Sequence, residues 1–292
     1  WAMTEYFYGN YQKALQICRD NHELAGKLQV RFWVSLMEVI EAMSYLAMGN
    51  LDKSWKILEQ VNNRLKNNPT EKIAMQARKV RGDFYRLVGD SDKAKEQYLE
   101  LITDPALNYI TVECRYALGV MLAVEGNKED GLHWLEESIR GADVLHLTGT
   151  GIKGRIARAF LRATPDSINA FEKECRELLG RIREMGLKIF MSEELIAAYS
   201  AELRNETDWA LGIYLAMMED KKNFSNIWEE LYLTNRVLLL AEGSGAAEKR
   251  VQARLKELVN KLTITATVPA AKSGAQRFRK KLKGIGNVVS TP

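Results

Sequence analysis

Apolar residues recur along this chain at intervals of three and four, and the segments that carry them come in pairs. Before Gly49 the stripe runs through Met37, Ile40, Glu41, Ser44, Tyr45 and Met48; after it come Trp55, Leu58, Val61 and Leu65. That spacing places one mainly apolar face on each of two helices. Four pairs are joined by Gly followed by Asn or Asp, at Gly9-Asn10, Gly49-Asn50, Gly89-Asp90 and Gly126-Asn127, with separations of 40, 40 and 37 residues; Lys13, Lys53, Lys93 and Asp130 follow four residues after each glycine. Glycine supplies the left-handed residue that ends one helix, and Asn or Asp supplies a side chain able to cap the next. The pattern therefore predicts a repeated helix-turn-helix unit.

Three further pairs continue the series without the glycine signature in its original form. Helices are expected over 144–163 and 166–185, turning at Thr164-Pro165, and over 192–204 and 208–220, turning at Asn205. A last pair, 225–241 and 246–262, is joined by Gly243-Ser244-Gly245. Pro69 and Pro105 fall where they stop second helices, and Pro165 suits a first helical turn capped by Thr164. The count is about fourteen helices in seven antiparallel hairpins, an all-α chain. Residues 1–262 form the helical repeat region and 263–292 a basic C-terminal tail or docking segment.

Within the units, small and aromatic residues take a regular order. The third has Gly82, Tyr85, Gly89, Ala94, Tyr98 and Pro105; the fourth has Gly119, Gly126 and Leu135; the second has Ala42, Tyr45, Gly49 and Leu58; the sixth has Ala198, Ala210 and Tyr214. Small residues let paired helices approach, and the larger ones fill the space beside them. This order resembles the tetratricopeptide repeat, whose standard unit is about 34 residues. The longer spacing here is similar to the helical sensor regions of signal-transduction ATPases related to the maltose-regulon activator. The resemblance implies a right-handed superhelical solenoid whose first helices line a groove. Its first unit lacks half of a first helix on this alignment, which points to a piece of a longer protein.

Composition narrows the class further. With 46% hydrophobic and 27% charged residues and only 5 Pro, the chain has the material for a large core. No apolar run reaches the roughly 18 residues needed to span a bilayer. Cys18, Cys114 and Cys175 are odd in number and widely separated, which suits reduced thiols, and no secretory signal precedes them. A cytoplasmic location is expected. Charge is uneven: residues 245–292 hold eleven Lys/Arg against two acids, so that end is strongly positive and the remainder mildly negative.

Several motifs have a chemical reading and a plainer one. Gly149, Gly151 and Gly154 fit G-x-G-x-x-G, but no strand is expected before them, and the stretch reads as a loop between repeats after a connection at 141–147. His22, His133 and His146 are scattered, and no His or Cys pair has metal-ligand spacing, so neither a metal nor a cofactor is expected. Cys18 and Cys114 read as small core residues. Trp55, Tyr85, Tyr98, Trp134, Trp209, Tyr214 and Trp228 recur at helical spacing and read as core aromatics.

The resemblance assigns the groove to Lys79, Asp83, Arg86, Glu113, Tyr116, Arg158, Arg162, Tyr199 and Glu202. Its cations would meet carboxylates or phosphate on an acidic protein or peptide, and its tyrosines offer rigid contact area. The expected function is non-catalytic protein or peptide binding, as the sensor or assembly arm of a cytosolic signalling or regulatory protein, with self-association a further option. The alternative is a nucleic-acid-binding helical repeat that uses Arg277, Arg279, Lys280, Lys281 and Lys283; these can hold phosphate but lack stacking or base-reading neighbours.

Overall fold

The computed structural model describes residues 1–28, 30–67, 72–103, 106–219, 226–241 and Ala253. Pro69, Pro105, the 246–262 helix with its Gly243-Ser244-Gly245 joint, and the 263–292 segment with Arg277, Arg279, Lys280, Lys281 and Lys283 lie outside the described residues. Among those described, the chain forms thirteen α-helices and no strand. They are α1 (Ala2–Phe7), α2 (Tyr11–Lys27), α3 (Arg31–Ala47), α4 (Leu51–Leu65), α5 (Lys72–Leu87), α6 (Ser91–Ile102) and α7 (Tyr109–Val124). After these come α8 (Lys128–Val144), α9 (Thr148–Arg162), α10 (Ile168–Glu184), α11 (Glu193–Leu203), α12 (Thr207–Glu219) and α13 (Ile227–Leu240).

The glycine turns share one geometry. Gly9, Gly49, Gly89 and Gly126 all have positive φ, between 71° and 90°. At Gly49, the glycine N–H donates to Leu46 O at 3.0 Å and the Asn50 N–H donates to Tyr45 O at 2.8 Å. These two bonds satisfy carbonyls that a helix end leaves open. The Asn50 and Asn127 side chains then accept from the backbone N–H groups of Lys53 and Asp130, capping α4 and α8. The same pair of backbone bonds closes α8 at His146, α10 at Gly186 and α11 at Asn205, with φ of 55°, 61° and 62°. At Thr164-Pro165 the chain instead makes a short 3-10 turn, Pro165–Ser167, in which the Thr164 N–H donates to Ser167 Oγ at 2.9 Å.

Two expectations need correction. Helix α8 continues through Val144, so the connection before α9 is residues 145–147 and not 141–147. Gly149, Gly151 and Gly154 lie inside α9 and not in a loop. Gly154 packs so closely on α8 that a Cβ there would stand 2.8 Å from Ile139 Cγ1. The glycine serves a helix crossing, which overrides its low helix propensity.

The helices group as residues 1–114 and 115–241. In the first group each helix from α1 to α5 packs on the next, while α1 also touches α3 and α3 touches α5. Gly82 of α5 lets the Tyr98 ring of α6 lie against its backbone; a Cβ at Gly82 would meet Tyr98 Cε1 at 2.5 Å. Trp55, Phe84 and Tyr85 form a neighbouring aromatic cluster, with Trp55 and Phe84 centroids 4.8 Å apart. In the second group α8 packs on α9, and each helix from α9 to α13 packs on the next. Its core includes Ile152, Phe171, Cys175, Leu178, Ile196, Tyr214, Leu233 and Val237. Gly119 and Gly131 bring α7 and α8 together there, since a Cβ on Gly119 would lie 2.9 Å from Gly131 O.

All three cysteines are buried. Burial pushes the Cys18 and Cys175 thiols up to about 12, as expected of small core residues. No described helix is long and apolar enough to cross a membrane.

Candidate functional site

On α5, Gln76, Lys79, Asp83 and Arg86 recur at three and four residues, so they share one helix face. Lys79 is almost fully enclosed, and its ammonium lies 2.8 Å from Asp83 and 3.2 Å from Glu113 of α7. Burial alone would pull this lysine's pKa down. The two carboxylates outweigh it and hold the pKa well above the ordinary value. The Tyr98 hydroxyl donates to Asp83 Oδ1 at 2.7 Å, and Arg86 stands 4.0 Å from the same carboxylate. Tyr6 of α1 feels the same charges: burial raises its pKa, Lys79 opposes that rise, and Asp83 and Glu113 add to it. The structure thus brings together four of the expected groove residues, Lys79, Asp83, Arg86 and Glu113, on adjoining odd-numbered helices.

The remaining residues are distributed differently. Arg158 of α9 reaches Glu174 of α10 at 2.9 Å and Glu136 of α8 at 3.5 Å; Arg162 reaches Glu136 at 2.9 Å. Both arginines therefore tie α9 to even-numbered helices. Tyr199 of α11 donates to Phe160 O at 3.0 Å, and its ring lies against Phe160 and Phe171 at 4.7 and 5.4 Å between centroids. Glu202 accepts from the Tyr214 hydroxyl at 3.3 Å and forms an ion pair with Arg236 of α13. Arg236 also sits over the Tyr199 ring, 5.4 Å from its centroid. Burial lowers the Arg236 pKa, and Tyr199 works against that shift. Tyr116 is half-buried on α7.

Glu136, Glu174 and Arg236 belong to these networks but were not singled out in the sequence, and Tyr98 was read there only as a core aromatic. Arg236 is the one cation in the mainly apolar α13, which is itself a signal that it has a partner. Glu136 and Glu174 carry no such mark, because an acid facing a neighbouring helix looks the same in sequence as one facing water.

One aromatic expectation fails. Trp209 is 66% exposed and does not belong to the core. Ala210, Tyr214 and Met217 mark the buried side of α12, whereas Trp209 shares its side with Gly212 and Ala216. Trp55, Tyr85, Tyr98 and Tyr214 are buried as expected, and Trp134 and Trp228 are half-buried. Among the described residues no three His, Cys, Asp or Glu side chains form a group able to hold a metal. The G-x-G-x-x-G residues lie within a helix that no strand precedes, so they lack the strand-turn context of a dinucleotide site.

No protein-family model matches the chain, and no curated protein is similar enough to it to serve as a relative.

Proposed function

We propose that this chain is a non-catalytic scaffold that binds a protein or peptide, built as a tetratricopeptide-like, right-handed superhelical solenoid of about seven hairpins. It would serve as the sensor or assembly arm of a larger cytosolic signalling or regulatory protein. The observation that carries the reading is the Lys79, Asp83, Arg86 and Glu113 cluster. It gathers ligand-capable charges on odd-numbered helices that lie side by side, which is where a stacked helical repeat presents a continuous surface. An acidic segment would pair with Arg86, which stands 4.0 Å from Asp83, while enclosed Lys79 keeps its own two carboxylates.

The test is affinity capture from cytosol with quantitative mass spectrometry, comparing the intact chain with Arg86→Ala and Glu113→Gln variants at low and moderate salt. A defined protein enriched by the intact chain, weakened by Arg86→Ala and unchanged or strengthened by Glu113→Gln, supports the reading. Recovery of nucleic acid alone, insensitive to both substitutions and lost at moderate salt, would transfer the function to the basic C-terminal segment.

A further inference from the structure

We infer that α11 and α12 carry a second binding surface, which takes a cationic peptide segment. It is separate from the Lys79 cluster, and the inference does not rest on the function proposed above. The surface is a cleft of about 650 Å³ lined by Ser192, Glu194, Asp208, Trp209, Gly212, Ile213, Ala216 and Met217. Trp209 stands at one end, 66% exposed. One and two turns further along α12, Gly212 and Ala216 add almost nothing above the helix surface. A Cβ built on Gly212 meets no atom within 4 Å, so the trough beside the indole is open. Ile213 and Met217 supply an apolar floor, and Met217 is itself only 5% exposed.

Charge selects the occupant. The lining includes two carboxylates and neither Lys nor Arg. Glu194 accepts from the backbone N–H at its own helix start and from the Ser192 hydroxyl, with Arg183 adding to the effect, and these hold its carboxyl below the usual range against the opposing effect of burial. It therefore stays ionised at the edge of the cleft. An exposed indole attracts a guanidinium or ammonium over its face, and Asp208 and Glu194, which line the same cleft, supply carboxylates to pair with such a group. A rigid aromatic beside an apolar floor and a charged rim has the anatomy of an interface hot spot. An Arg or Lys side chain with an apolar neighbour satisfies all three features. An acidic segment would meet repulsion, and a purely apolar one would cover the two carboxylates without adding a countercharge.

The test uses the full chain and a fluorescein-labelled dodecapeptide of the repeating sequence Arg-Ala-Leu-Lys, with the Gln-Ala-Leu-Gln repeat as its neutral control. Fluorescence anisotropy should show saturable binding of the cationic peptide that weakens with salt, and much weaker binding of the control. Trp209→Ala should reduce affinity by about fivefold or more. Gly212→Leu should block the trough while leaving the melting temperature unchanged or higher, since leucine is the better helix former and has room there. Circular dichroism confirms that each variant remains folded. Equal binding by wild type and both folded variants, equal binding of the neutral control, or no saturable binding would overturn the inference. So would a concentration-dependent dimer abolished by Trp209→Ala in sedimentation, because the occupant would then be a second copy of the chain.

Discussion

At the scale of single residues, the strongest constraints are close contacts and enclosed charge. A Cβ at position 82 cannot coexist with Tyr98 as it now lies, and Tyr98 is anchored by its hydrogen bond to Asp83. Gly82→Ala should therefore destabilise the protein by about 1–3 kcal/mol, the ordinary cost of overpacking, as read from urea unfolding. Lys79 is more sensitive still. Lys79→Met removes the cation that Asp83 and Glu113 both face in a nearly enclosed site, at a cost of about 3–5 kcal/mol. Adding Asp83→Asn and Glu113→Gln should restore much of that loss. Because the folded pKa of Lys79 is raised, its contribution is fully present below the usual lysine value of 10.5 and fades only as pH rises through the higher folded value.

Glu172 gives the opposite pH dependence. Burial would raise its pKa, but Arg176 and Arg204, which each donate to its carboxylate at 3.0 Å, help to lower it. Its stabilisation is present above the unfolded value of 4.5 and is lost as pH falls through the folded one. Glu172→Gln should accordingly flatten the decline in stability below about pH 4.5 in a series of thermal melts. That lysines and glutamates lie on helix faces was legible in the sequence. Which of them are enclosed together was not, since enclosure depends on a second helix whose registry no local pattern encodes. Lys79 and Glu113 are 34 positions apart and meet only because α5 and α7 adjoin.

At the scale of elements, the turn chemistry was the clearest signal and its exceptions are informative. Gly49 and Gly126 were identified because the next residue is Asn, which announces the following helix. Gly186 was missed because Leu187 and Lys188 follow it, and α11 begins only at Glu193 after its own cap, Ser192. His146 adopts positive φ with no local mark at all, held by the helices on either side. Gly126 isolates the backbone effect, because a Cβ there would meet no atom within 4 Å. Gly126→Ala should cost about 1–2 kcal/mol from the left-handed conformation alone. Asn205→Gly should be neutral or slightly stabilising at φ 62°, and calorimetry of the two variants measures both signs. The phase error at Trp209 has a similar origin: α12 is apolar on most of its circumference, so periodicity alone does not identify its buried side.

At the scale of the whole molecule, the pairwise packing of consecutive helices follows from the hairpin period, and odd-to-odd contacts occur where α1, α3 and α5 adjoin. Their stacking concentrates small residues at crossings and places the cysteines in the core. All three thiols should therefore resist iodoacetamide at pH 8 in the folded protein and react fully in urea, as counted by intact mass. The central claim is that the face shared by α5 and α7 receives a protein ligand. Its most direct test is hydrogen-exchange mass spectrometry of the chain with and without the partner recovered by affinity capture. The account predicts added protection in peptides covering residues 72–87 and 109–124, reduced in the Arg86→Ala variant. Protection confined to residues 277–283, with α5 and α7 unchanged, would contradict it.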